Sequence, residues 1–163
     1  MLRALSSAEI PRLVALNDAA YPAVPITAAN DMAELLATSD YTFAAFDDEN
    51  RSTLHGFVIG MRPGSDYPSE NYRYFSTRGT NFLYVDRIVV SLEKRGAGIG
   101  RMLYNAVFEL ARAEGRTEVT CEVNLDPPNP GSLAFHARLG FTRVGEQETK
   151  NGSVTVALLA AEL

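Results

Sequence analysis

The glycine-rich segment EKRGAGIGRML, at residues 93–103, constrains the fold of this chain more than any other stretch. It follows the apolar run NFLYVDRIVV, which is typical of a buried strand, and it leads into apolar residues at helical spacing as far as Leu110. A strand, a glycine-rich turn and an amphipathic helix are therefore predicted in direct succession. Glycines permit such a tight turn, and bare N–H groups at a helix start can also hold phosphate, so a structural and a binding role both stay open.

The rest of the pattern predicts seven strands and four helices, in the order strand, two helices, three strands, helix, strand, helix, two strands. The last two strands, FTRVGEQETK and SVTVALLAAEL, meet at Asn151-Gly152, which is a strong hairpin signal. Residues 63–80 contain four aromatic side chains but neither a helical nor a strand period, so we expect a long loop there. Loops of this length in compact domains are more often functional than idle.

The 163-residue chain has the length of one ordinary domain, and we expect residues 1–163 to fold as a single domain. No apolar run approaches the roughly 20 residues that cross a bilayer, so no membrane partner is expected. The N-terminal sequence MLRALSSAEIPRL lacks the apolar core of a signal peptide, which favours a cytoplasmic protein. The net charge of −5 argues against a nucleic-acid partner, because phosphate binding requires clustered Lys and Arg.

The chain is poor in metal ligands and in thiols. Cys121 is the single cysteine, so it cannot form an intrachain disulfide, and with only two histidines beside it no metal site is expected. We expect Cys121 to be a buried small hydrophobic residue and His55, in an alternating strand, to be a half-exposed sheet residue.

The glycine segment does not match two common nucleotide-binding motifs. The dinucleotide fingerprint G-x-G-x-x-G cannot start at Gly96 or Gly98, and the phosphate loop of nucleotide hydrolases needs Lys-Ser/Thr where Arg101-Met102 stand. What remains is RGAGIG at 95–100, which resembles the R/Q-x-x-G-x-G/A signature of the GNAT superfamily of N-acetyltransferases. The resemblance implies that this loop binds the pyrophosphate of acetyl coenzyme A.

A second segment supports the same family. NPGSLAFHARLGF, at residues 129–141, is similar to the later GNAT segment in which an asparagine begins a helix and Leu-Gly-Phe leads into the next strand. The predicted order of elements also agrees with that superfamily from the first strand to the last hairpin. The resemblance therefore implies a mixed α/β (α+β) GNAT-like fold, with a mostly antiparallel seven-stranded sheet, helices on both faces and a splayed central strand pair.

The resemblance also implies a set of contacts to coenzyme A. The glycines let backbone N–H groups approach phosphate, and the flanking arginines would add charge-assisted contacts. The N–H of Val89 or Val90 would bind the thioester carbonyl oxygen. Asn124 and Asn129 are polar candidates, unless they serve as ordinary loop and cap residues. The expected coenzyme-binding residues are Ile88, Val89, Val90, Arg95, Gly96, Ala97, Gly98, Ile99, Gly100, Arg101, Asn124, Asn129, Ser132 and Phe135.

Asp86 is the candidate general base. A lone carboxylate in the apolar run FLYVDRIVV contradicts strand propensity and needs a reason to be there. In some members of the family a carboxylate at this place in the strand takes the proton from the amine, so the resemblance implies that role here. The alternative is structural, with Asp86 bonded to a neighbouring loop or paired with Arg87 or Arg138.

His136 is the candidate general acid. It occupies the place where many relatives carry a tyrosine that faces the coenzyme sulfur, which is a departure from the family pattern. An imidazole can donate a proton to a thiolate, because its ordinary pKa lies near 6.5. The alternative is that His136 packs against the pantetheine arm while solvent supplies the proton.

The resemblance implies an acetyl-CoA-dependent N-acetyltransferase that moves an acetyl group to a primary amine by direct attack. The sequence leaves the acceptor open among small amines, amino acids, antibiotics and proteins. The alternatives are a non-catalytic acyl-CoA-binding sensor or subunit, and acylation of a hydroxyl or thiol. The last strand carries an apolar run that an edge strand can hardly leave bare, and this favours a homodimer.

Overall fold

The computed structural model describes residues 1–49, 51–79 and 81–163. Within them the strands hydrogen-bond in the order β1-β2-β3-β4-β5-β7-β6. The β4–β5 pair is parallel, and the β1–β2, β2–β3, β5–β7 and β6–β7 pairs are antiparallel, so the predicted mixed, mostly antiparallel sheet is confirmed. The strands are β1 (Leu2–Arg3), β2 (Tyr41–Phe46), β3 (Leu54–Met61), β4 (Phe82–Val90), β5 (Glu118–Asp126), β6 (Thr142–Thr149) and β7 (Val154–Glu162). The α-helices are α1 (Ile10–Asp18), α2 (Ala29–Thr38), α3 (Glu70–Arg78), α4 (Ile99–Ala113) and α5 (Pro130–Arg138).

The chain divides into two compact units. One comprises Met1–Met61 and Arg87–Val107, and the other comprises Arg62–Asp86 and Phe108–Leu163. In the first unit the strands β1, β2 and β3 pair antiparallel, and α1, whose Leu13 is fully buried, packs against α2 and β3. No helix of the described residues is long and apolar enough to cross a membrane.

The short 3-10 helix Ser7–Glu9, which precedes α1, is capped at its start by the charged side chain of Glu9. The Glu9 carboxylate accepts hydrogen bonds from the backbone N–H and hydroxyl of Ser6, at 2.7 and 2.6 Å, and from Arg3 at 2.8 Å. Burial alone would raise the pKa of Glu9, but the bonds from Arg3 and Ser6 outweigh it and lower that pKa from 4.5 to about 2. The charged carboxylate therefore stabilises the fold at neutral pH.

We expect Glu9→Gln to reduce the free energy of unfolding at pH 7 by about 1–2 kcal/mol, because the bonds from Arg3 and Ser6 to the charged carboxylate are lost while solvent already screens part of the ion pair. Because the pKa is lowered on folding, this stabilisation is present above pH 4.5 and is lost as the pH falls towards 2. Urea unfolding at pH 7, 4 and 3 measures both effects. The parent should lose more stability than Glu9→Gln over this range, and parallel losses would contradict the assignment.

The last strand is an interior strand, so the sequence-based description of it as an edge strand was wrong. β7 hydrogen-bonds to β5 on one side and to β6 on the other, and its apolar run from Val156 to Ala161 is buried. The chain inserts its final strand between two earlier ones, which places the polar strand β6 at the edge instead. The apolar run is thus covered without a second copy, and this argument for a homodimer falls away. The hairpin between β6 and β7 turns at Asn151 and Gly152, both with positive φ, as predicted.

Residues 63–80 were expected to form a loop but contain the helix α3. The Ser69 side chain accepts the N–H of Tyr72 at 3.2 Å, and Gly79, at φ +75°, ends the helix. Only two of its nine residues, Tyr72 and Phe75, are buried, which is too few to produce a clear helical period. The serine cap and the terminal glycine were the sequence signals for this helix. Tyr74 is a structural residue, since its hydroxyl donates to the Val144 carbonyl of β6 at 3.1 Å.

Candidate active site

The segment between β4 and α4 presents bare backbone to solvent. A short 3-10 helix, Leu92–Lys94, is followed by exposed residues as far as Gly98. Gly96 and Gly98 have φ of +82° and +83°, a conformation that other residues rarely adopt. A Cβ built at either glycine has no atom within 4 Å, so open space lies in front of both. The backbone here requires glycine, and the space beside it can hold a ligand.

The start of α4 supplies donors for an anion. The first intrahelical bond joins the Met102 N–H to the Gly98 carbonyl at 2.9 Å, so the N–H groups of Ile99, Gly100 and Arg101 have no acceptor in the preceding turn. A 15-residue helix also contributes the positive end of its dipole. Arg95 and Arg101 are exposed, and within the described residues neither guanidinium group has a hydrogen-bond or ion-pair partner. These features fit a diphosphate.

Gly56 of β3 holds the start of α4 close to the end of β4. A Cβ at Gly56 would lie 2.9 Å from the Val89 carbonyl oxygen and 3.0 Å from Ile99 Cγ2, so only glycine permits this approach. The Ser91 N–H donates to the His55 carbonyl at 2.8 Å. Val89 is buried, and its neighbours in the strand are half-buried. The residues 88–90 and 95–101, which were predicted to bind the coenzyme, therefore lie on the two sides of one turn whose position is fixed by close packing.

Asp86 has a partner in the segment before α3. The Tyr67 hydroxyl donates to Asp86 Oδ1 at 2.7 Å. This is the bond to a neighbouring loop that the structural alternative for Asp86 predicted. The parallel register of β4 and β5 runs from the Phe82–Glu118 pair to the Tyr84–Thr120 pair, so Asp86 lies two residues beyond it. The described pairing of β4 with β5 therefore ends before Asp86, and the splay of the two strands stays a prediction.

A second carboxylate, Glu122, was not predicted from the sequence; with Tyr67, Asp86 and Tyr84 it forms one polar cluster. The Tyr84 hydroxyl donates to the Glu122 carboxylate, at 2.8 and 3.0 Å from the two oxygens. Burial, followed by the negative charges of Glu122 and Asp86, raises the pKa of Tyr84 well above 10, so Tyr84 keeps its proton. The strand sequence TEVTCEV also contains Glu118 and two threonines, so Glu122 does not stand out there as Asp86 does in FLYVDRIVV.

His136 is buried in α5, with 3% of its surface exposed. Its ring lies between those of Phe135 and Phe141, with centroid distances of 5.4 and 5.2 Å. Its Nδ1 lies 2.7 Å from the Ser132 carbonyl oxygen. Because that oxygen only accepts, Nδ1 carries a proton, and neutral His136 presents a lone pair at Nε2. Burial lowers the pKa of His136 below 6.5, although the Ser132 bond opposes this. Only the imidazolium form has a proton to donate from Nε2.

The remaining predicted coenzyme contacts lie at the start of α5 and the end of β5. Asn129 caps α5 by accepting the Ser132 N–H at 3.3 Å, and its own N–H donates to the Asn124 carbonyl at 3.2 Å. Asn124, which the sequence made a polar candidate, lies within β5, and the strand continues to Asp126. Ser132 and Phe135 are half-buried. The structure thus brings Asn124, Asn129, Ser132, Phe135 and His136 into one neighbourhood.

Comparison with known proteins assigns these elements to a family. The sequence profile described as "Acetyltransferase (GNAT) family" matches residues 10–141. That range includes the glycine segment, Asp86 and His136. N-acetyltransferase 8 from Rattus norvegicus is 30% identical over 89 residues, which are 55% of this chain and 35% of that protein. The match therefore spans about a third of the length of this curated relative.

Solved structures share the fold. Ard1 from Thermoplasma volcanium superposes with a TM-score of 0.78 at 15% identity, covering 100% of this chain and 97% of that one. A chain of the NatC complex bound to Gag peptide and CoA gives a TM-score of 0.74 at 17% identity, covering 100% and 98%. At these identities the likeness concerns the fold, and it confirms the expected arrangement of a mixed sheet with helices.

Proposed function

The chain belongs to the acetyltransferase (GNAT) family, and on that premise we propose that it transfers an acetyl group from acetyl-CoA to a primary amine of a small molecule or protein by direct attack. One observation carries the proposal. Gly96 and Gly98 hold a positive φ beside open space, immediately before the unpaired N–H groups of α4. This is the local arrangement that a pyrophosphate requires.

In the proposed complex the N–H groups of residues 96–101 bind the pyrophosphate, and Arg95 and Arg101 add charge. Ile88, Val89 and Val90 line the path to the thioester, with the N–H of Val89 or Val90 on its carbonyl oxygen. Asn124, Ser132 and Phe135 contact the pantetheine arm, while Asn129 acts through its cap on α5. The bound substrate supplies an activated acetyl group.

Asp86 is the proposed base. An amine with a pKa near 10 is mostly ammonium at pH 7 and has to lose a proton before it can attack. Asp86 takes that proton directly or through a water molecule, the amine nitrogen bonds to the carbonyl carbon, and the carbon–sulfur bond breaks. Tyr84 does not compete for the proton, because its own is retained.

His136 is proposed to protonate the departing thiolate only while it is charged, since the neutral form has no proton at Nε2. With the pKa of His136 lowered below 6.5, solvent takes over this role at neutral pH. The neutral state is also the observation that favours the second candidate function, a non-catalytic acyl-CoA-binding sensor or subunit. A cytoplasmic location stays a prediction from the sequence, and so does a homodimer, although its edge-strand argument no longer holds.

A pH series separates the roles of His136. We expect kcat of the parent and of His136→Phe to converge above pH 7, and the parent to exceed the variant increasingly as the pH falls below 6.5, where the imidazolium forms. His136→Tyr should exceed both at pH 8, because a phenol keeps its proton to about pH 10. Full kcat profiles from pH 5.5 to 9 with one amine measure this. If all three proteins behave alike at every pH, His136 only packs.

Release of free thiol from acetyl-CoA, measured with panels of amines, alcohols and thiols, tests the proposed function. An N-acetyltransferase should release thiol with at least one amine and form the corresponding amide. Binding of acetyl-CoA by calorimetry without thiol release would support the sensor instead. Release with alcohols or thiols alone would support acylation of oxygen or sulfur.

A further inference from the structure

The contact between Tyr67 and Asp86 joins two parts of the chain that lie 19 residues apart. Its length, 2.7 Å, is ordinary for a hydroxyl donor and also lies within the range of a bond to a charged carboxylate. This bond to one oxygen restricts rotation of the carboxylate about its last side-chain torsion. The Tyr67 hydroxyl therefore helps to set the direction in which the Asp86 carboxylate faces.

The phenol of Tyr67 is itself held in place by its neighbours. The Tyr67 ring packs edge-to-face on the Tyr72 ring, with centroids 5.9 Å apart. The backbone carbonyl of Tyr67 accepts the Ser69 N–H at 2.9 Å. Tyr72 is 3% exposed, and its hydroxyl accepts the Ser65 N–H at 2.9 Å and donates to the Arg62 carbonyl at 2.6 Å. The backbone is thus fixed on both sides of Tyr67. A group held in this way can orient a catalytic side chain at little entropic cost.

The second phenol in the cluster does not serve Asp86. Tyr84 has one hydroxyl proton, and it is directed at Glu122. Each carboxylate of the cluster therefore has its own phenol donor, Tyr67 for Asp86 and Tyr84 for Glu122. The two pairs differ in how their donors are placed. Tyr84 is part of β4, whereas Tyr67 reaches Asp86 from the segment that leads into α3.

We propose that Tyr67 is a positioning residue that orients the Asp86 carboxylate for proton transfer from the acceptor amine. The inference rests on the proposed function, in which Asp86 is the base. Its consequence lies in the rate of the chemical step, because Tyr67 acts on the base. Neither the affinity for acetyl-CoA nor the acceptor KM should depend strongly on this hydroxyl.

The test is a double-mutant cycle with Tyr67→Phe, Asp86→Asn and the combined variant. Phenylalanine keeps the ring contact with Tyr72, so the fold should be unaffected, and thermal unfolding checks this. We expect Tyr67→Phe to lower kcat about 10-fold, the range for loss of one hydrogen bond to a charged group, with KM for the acceptor within about two-fold. In the Asp86→Asn background the same substitution should cause no further loss. The control Tyr74→Phe also removes a bonded phenol hydroxyl, but one without a part in the site, and should keep the parent kcat.

The arms of the cycle distinguish the inference from the function on which it rests. If Asp86→Asn is slow and Tyr67→Phe turns over like the parent, the positioning role is wrong and the base assignment stands. If the two losses add, Tyr67 acts independently of Asp86, which also overturns the inference. If Asp86→Asn itself keeps the parent kcat, the base assignment fails, and the positioning role fails with it.

Discussion

Replacing Gly98 by valine is expected to abolish acetyl-CoA binding while leaving the protein folded. Gly98 has a φ of +83°, and a Cβ there projects into open space without meeting any atom within 4 Å. A valine side chain would therefore fill the space assigned to the pyrophosphate. It would also strain the turn, at a cost of about 1–3 kcal/mol for a β-branched residue in this conformation.

Gly115 offers a matched control for the strain alone. It has a φ of +69°, is exposed, and has nothing within 4 Å of a built Cβ. It follows the C-terminal end of α4, whereas Gly98 precedes the N-terminal end. Gly115→Val should lose a similar amount of stability in thermal unfolding but bind acetyl-CoA like the parent in calorimetry. Parent-like affinity in a folded Gly98→Val protein would show that the pyrophosphate lies elsewhere.

Asp86→Asn is expected to reduce turnover by about 100-fold or more, within the usual range for loss of a general base. Asparagine has nearly the same shape, and its amide oxygen can still accept the Tyr67 hydroxyl, so packing should be retained. The affinity for acetyl-CoA should stay within a few-fold, because the substitution removes the proton acceptor alone. Steady-state kinetics with one amine, together with calorimetry, separates the two quantities.

Glu122→Gln is the comparison that this experiment needs. Glu122 belongs to the same cluster and also accepts a phenol hydroxyl, from Tyr84. We expect its replacement to cost much less turnover than replacement of Asp86. A larger loss for Glu122→Gln than for Asp86→Asn would transfer the role of base to Glu122. Equal, small losses would indicate that water removes the proton without either carboxylate.

The local features of the proposed coenzyme site were determined by the sequence alone. Three features depend only on residues that are neighbours in the chain: the positive φ at Gly96 and Gly98, the start of α4, and the exposed arginines. The local sequence is therefore enough to predict them. The same holds for the turn at Asn151-Gly152. The unfavourable position of Asp86 in an apolar strand was likewise a local signal, whereas Glu122 lies in a strand with a second glutamate and two threonines and gave no such signal.

Contacts between residues distant in the chain were decided only by the tertiary structure. No local pattern shows that Tyr67 bonds to Asp86, or that β7 pairs between β5 and β6 and so buries its own apolar run. The state of His136 depends on its burial, which lowers its pKa through desolvation, while the Ser132 carbonyl selects the tautomer. Burial and hydrogen-bond partners are properties of the folded chain, and a residue's chemistry follows from them as much as from its identity.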